Sequence, residues 1–135
     1  MTTAMHASKA SDSTATLRHT AAGISLLIAV LYGLIWSGVV DVVRDAEPGE
    51  LGILGVAGVV FVALAALLWW STSRLLWLGT ATLQVLMIWM YIAIGAERDP
   101  AFEVWGISIR VAQVVLIGVL IALLVRSVRA RRHGS

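Results

Sequence analysis

The sequence predicts an all-α fold: a transmembrane four-helix bundle of two in–out–in helical hairpins, with both termini on the inner side. Three observations carry this. Four apolar runs of about 20 residues fill the chain. The charges sit almost wholly in the gaps between them, and basic and acidic residues divide unevenly between alternate gaps.

The runs cover residues 21–40, 51–70, 75–95 and 104–125. Twenty residues of helix rise roughly 30 Å, the thickness of a bilayer's hydrocarbon core. Hydrophobic residues make up 59% of the chain and charged ones 13%, with a mean hydropathy of +0.90. A soluble domain carries about 25% charged residues, so this chain cannot clothe itself in a polar surface. Its 135 residues make one domain, with little room beside the spans for a walled catalytic pocket. Enzyme activity is therefore the least expected class. There is no cysteine, which removes disulfides, thiol redox chemistry and thiolate metal sites. His6, His19 and His133 lie in the tails or at the entry of the first run, away from any intramembrane haem. No cofactor, no metal and no nucleic-acid partner are expected.

In chain order, residues 1–18 are rich in Ser, Thr and Ala and lack apolar periodicity. They read as a disordered cytoplasmic tail. Residues 19–126 form the four-span bundle, and 127–135 a basic cytoplasmic tail. The first run is too long for the 7–15-residue core of a cleaved signal, and no Ala-x-Ala site follows it, so it is expected to stay as a span. Ser25, Ala29, Gly33, Ser37 and Asp41 recur in it at four-residue spacing. Small residues on one ridge let helix backbones approach closely in lipid. The second run has Gly52, Gly55 and Gly58 in its outer half, and the fourth has Gly118 and Ala122 for the same purpose. Glu47-Pro48-Gly49-Glu50 and Asp99-Pro100-Ala101-Phe102-Glu103 are alike. Each sets a proline at a helix start, where no N–H is needed, with acids against the positive helix end.

Orientation follows from the basic residues near the span ends. Lys9, Arg18, Arg74, Arg126, Arg129, Arg131 and Arg132 fall on one side, with only Asp12 among them. Asp41, Asp45, Glu47, Glu50, Glu97, Asp99 and Glu103 fall on the other, with Arg44 and Arg98. Both termini are thus expected in the cytoplasm, and the protein in a bacterial plasma (inner) membrane. Trp69, Trp70 and Trp77 flank the inner connector, while Trp36, Trp89 and Trp105 lie near the outer ends, as two interfacial belts would.

Arg110 is the one charge inside a run, and a guanidinium near the bilayer centre costs about 2.5 kcal/mol or more. It shares a helical face with Gly106 and Gln113, so that face is expected to look inward. Asp41 is the expected ion-pair partner, with Glu50 and Glu103 as alternatives. Such a pair serves either as a structural clamp near the interface or as an anchor for an anion or lipid headgroup. Thr80, Gln84 and Tyr91 share one face of the third run. With Gln113 they make a polar seam that either hydrogen-bonds helices together or lines a substrate path. The outer acids lack the spacing of a calcium loop.

Two functional classes stand. One is a non-catalytic accessory or scaffold subunit that packs against other membrane proteins, in keeping with small-residue ridges and minimal loops. The other is a small-solute or ion transporter or channel acting as a homo-oligomer. In size and span count the chain resembles the small multidrug-resistance transporters, but their embedded first-span glutamate is missing, since the first run has no carboxylate before Asp41. In length, span layout and charge pattern it resembles the small uncharacterised four-span integral membrane proteins of high-GC bacteria. That resemblance rests on layout and implies no active site and no ligand.

Overall fold

The computed structural model describes residues 2–40, 48–97 and 103–133. They form four helices: α1 (Thr2–Trp36), α2 (Pro48–Trp70), α3 (Arg74–Gly95) and α4 (Val104–His133). No strand occurs among the described residues. All four helices are long and apolar enough to cross a membrane.

Helix ends follow local chemistry. α1 stops at Trp36 rather than reaching the predicted Val40, because Gly38 adopts φ +71°, a left-handed geometry that glycine takes without a Cβ penalty. The Gly38 and Val40 N–H groups close onto the carbonyls of Ile35 and Leu34. Ser37 therefore lies in the terminal turn instead of on a helical ridge, its hydroxyl donating to the Leu34 carbonyl at 3.1 Å. Pro48 is the first residue of α2, as its missing N–H favours. Ser73 caps α3 by accepting from the Leu76 N–H. α4 begins at Val104, four residues past Pro100, and the Glu103 carbonyl accepts the Ile107 N–H there.

The largest departure from the sequence expectation is at the N-terminus. Residues 2–17, disordered by composition, continue α1 as helix. The apolar run behind them supplies a nucleus already formed, and extension then adds one hydrogen bond per residue. Thr16 and Thr20 hydroxyls bond back to the carbonyls of Asp12 and Thr16, and Arg126 of α4 donates to the Ser13 hydroxyl at 2.7 Å. The basic tail is also helical, so α4 runs on to His133. Both extensions project at the same end of the molecule.

α1 is the centre of the packing. It lies along α2 on one side and α4 on the other, and α4 in turn lies along α3. α2 and α3 barely touch, although only three residues join them. The core comprises Ile28, Tyr32, Ile35, Phe61, Leu68, Ile109, Leu116, Leu120 and Leu123, all buried. Along each helix they recur at steps of three, four or seven residues, the pitch of one helical face. Ala29 and Gly33 of the predicted ridge meet Gly58 of α2, where an added Cβ would stand 3.6 Å from the Ala29 carbonyl oxygen and from Tyr32 Cβ. Gly118 is exposed with open space around it, and Ala122 is half-buried, so the short ridge of α4 is largely unpartnered.

A bulky residue at Gly58 has nowhere to go. Gly58→Leu should lower the unfolding free energy by about 1–3 kcal/mol, as overpacking does. Denaturant titration in detergent micelles would read this, and an unchanged midpoint would refute the close crossing of α1 and α2.

Candidate functional site

The inward face of α4 carries Gly106, Ile109, Arg110, Gln113 and Leu116 in succession, one helical stripe. About 9 Å along the helix from Val104, the Arg110 side chain turns into the space between α1, α3 and α4. Its Nη1 donates to Oε1 of Gln113. Its Nη2 donates to the Tyr32 hydroxyl of α1 at 3.4 Å, and its guanidinium carbon lies 4.3 Å from the centre of the Tyr91 ring of α3. The Tyr32 ring stacks on Phe61 of α2, centroids 5.7 Å apart. One guanidinium thus draws on three helices directly and on the fourth through a tyrosine.

Gly106 makes the arrangement possible. A Cβ there would collide with the Tyr91 hydroxyl and stand 3.0 Å from two ring carbons, so any larger residue would force the end of the Tyr91 side chain to shift. Gln113 is fully buried. Its Oε1 serves Arg110, while its Nε2 reaches the Met87 sulfur at 3.9 Å, a weak acceptor. These neighbours of Arg110 are all neutral. The predicted partner Asp41 lies outside the described residues; among those described, the guanidinium donates to Gln113 and Tyr32.

The remaining seam residues continue the polar line along the inward face of α3. Thr80 and Gln84 are buried with Trp77, one turn apart from each other. Among the described residues, the Thr80 hydroxyl, both amide atoms of Gln84 and the Trp77 indole nitrogen have no hydrogen-bond partner, nor does the buried Ser25 hydroxyl of α1. An unpaired buried polar group costs roughly 1–3 kcal/mol, and such groups in folded proteins normally meet ordered water or a ligand. By helical rise, Gln84 sits about 15 Å into α3, near the middle of its length. The seam of Thr80, Gln84, Tyr91 and Gln113 is therefore inward-facing throughout, but only Tyr91 and Gln113 converge on Arg110.

Beside Arg110, a groove of about 330 Å³ opens laterally between α3 and α4, lined by Ile88, Tyr91, Ile107, Val111 and other aliphatic side chains. Among the described residues, no group of three or more His, Asp or Glu side chains is placed to hold a metal ion. Tyr32 and Met87 complete the site; helical pitch sets Met87 beside the seam, but sequence reasoning does not place Tyr32 there. Tyr32 carries a signal all the same, as a lone phenol in the middle of an apolar run. Comparison with family models, characterised proteins and solved structures gives no match to this chain.

Two outcomes follow from this geometry. Gly106→Ala should destabilise the fold by about 1–3 kcal/mol, and less so in a Tyr91→Phe background, where the colliding oxygen is gone. Equal losses in both backgrounds, measured by thermal unfolding, would refute the contact. Arg110→Ala should cost a similar amount, because it strands the buried Gln113 amide. A double-mutant cycle with Gln113→Leu should then show strong coupling, and strict additivity would rule the bond out.

Proposed function

We propose that this chain is a multi-pass protein of the bacterial inner membrane, with both termini in the cytoplasm. Within it, the chain acts as a non-catalytic accessory or scaffold subunit that holds another membrane protein. The observation that carries the reading is the open side between α2 and α3. Each other neighbouring pair of helices packs along its length, whereas these two leave their facing sides uncovered by each other. Gly52 on α2 and Gly79 on α3 present bare backbone with nothing within 4 Å, which permits the close helix approach that drives association in lipid. The split of seven basic residues against one acid at the terminal end supports the inward orientation of the termini.

A second reading rests on a separate observation, the unpartnered polar atoms of Ser25, Thr80 and Gln84. A homo-oligomeric small-solute or ion transporter would use them to replace the hydration of its cargo. Transport would then fail on Gln84→Leu.

The natural absence of cysteine makes these readings separable. Single cysteines at Val59 and Leu86, exposed on α2 and α3, should crosslink to a second protein that co-purifies in fixed proportion. A cysteine at exposed Val115 of α4 should not. Purification of the chain alone, with no crosslink from either site, would sink the subunit reading. A homodimer that moves solute in liposomes, and stops on Gln84→Leu, would establish the second. For orientation, cysteines at Ser8 and Ala130 should react with an impermeant maleimide only after inverted or permeabilised membranes expose the cytoplasmic face.

A further inference from the structure

The helical extensions of α1 and α4 flank a cleft that the preceding readings leave without a role. It measures about 740 Å³, is broadly open, and is bordered on its third side by Thr72 of the α2–α3 connector. Three guanidinium side chains line it, Arg18 from α1 and Arg126 and Arg129 from α4, together with His133. Hydroxyls of Ser11, Ser13 and Thr72 lie between them.

This is a built concavity and not a loose spray of charge. Arg126 fixes one wall by donating to Ser13 across the two helices. Arg74 donates to the Ser127 carbonyl, which pins the start of α3 against α4. His133 bonds through Nδ1 to the Arg129 carbonyl at 3.0 Å. The Nε of Arg18 is buried and lacks a hydrogen-bond partner among the described residues, a stranded donor beside two further arginines. The nearest acid in sequence, Asp12, does not line the cleft. None of the three arginines pairs with a carboxylate among the described residues. Each element has one match in chemistry. Forked N–H donors and hydroxyls lining one cleft, with no carboxylate among the lining residues, suit a compact anion with several acceptor oxygens.

We propose that this cleft binds a phosphate group, carried either by an anionic lipid headgroup or by a soluble phosphorylated compound. Its position favours the headgroup. His19, one residue beyond Arg18, stacks on Trp69 with centroids 4.1 Å apart, and indole rings prefer the headgroup level of a bilayer. The site is independent of whether the open α2–α3 side holds a partner and of whether the seam carries solute.

The test uses the full chain in nanodiscs and reads bound molecules by native mass spectrometry. In one arm the lipid is phosphatidylcholine with a minority of phosphatidylglycerol. In the other it is phosphatidylcholine alone, with inorganic phosphate added. Retained phosphatidylglycerol identifies a headgroup as the source, while phosphate held in the second arm alone identifies a soluble ligand. In the arm that binds, Arg18→Gln and Arg129→Gln should each weaken retention about five-fold, the effect of one basic residue near an anionic surface. Lys9→Gln with Arg132→Gln removes two charges outside the cleft and should leave retention nearly unchanged. Arg129 makes no side-chain bond among the described residues, so its variant keeps the fold and guards against misreading a collapse of the Arg18 variant. No retention in either arm would overturn the proposal, as would an equal loss from the Lys9/Arg132 control.

Discussion

A guanidinium surrounded by apolar helices persists only if its neighbours take its N–H groups and shield its charge. At Arg110 a glutamine one turn away on the same helix and a tyrosine hydroxyl from α1 take the two terminal nitrogens, and a tyrosine ring from α3 lies over the charge. The buried Nε has no partner among the described residues. Because Tyr32 also stacks on Phe61 of α2, satisfying one side chain fixes the relative height of all four helices. Interhelical polar contacts in lipid are individually modest, about 0.6 kcal/mol on average. Their value here is registry, since apolar surfaces alone slide past one another with little penalty. Gly106 belongs to the same constraint, since its missing side chain is the space that the Tyr91 ring occupies.

The architecture divides into a well-packed half and an open half. α1 shares its inward face between α2 and α4, with Ala21, Ala29 and Gly58 allowing close approach. α3 instead attaches chiefly through α4, and its inward face carries two buried polar side chains, Thr80 and Gln84. Stability and polarity are thus segregated. The helix that gains least from apolar packing holds most of the buried polar atoms that lack a partner among the described residues, which is where water or a ligand gains most by entering.

Much of this is legible from residues alone, for identifiable reasons. Run length and charge placement are properties of single segments, so the four helices and the start of α2 at Pro48 can be read directly. The shared face of Gly106, Arg110 and Gln113 needs only helical pitch. The contact of Tyr32 with Arg110 cannot be read, because it joins residues 78 apart and depends on the height at which α1 and α4 pass. The helical state of residues 2–17 escapes for a different reason. Composition measures what a segment does alone, whereas here a continuous helix behind it and an arginine from α4 beside it decide the outcome. Asp41, the ion-pair partner that ridge position singles out, lies beyond the described residues; among those described, Gln113 and Tyr32 accept from Arg110.

Neither α1 nor α4 contains proline, so each passes without a break from the apolar layer into the polar extension beyond it. Such a rod has no hinge at which a tilt can be absorbed. The 16 helical residues of 2–17 extend about 24 Å, far enough for a small rotation at the buried end to become a displacement of several ångströms at the tip. Any event that rocks α1 against α4 deep inside must therefore widen or narrow the gap between their far ends, as the jaws of pliers answer their handles.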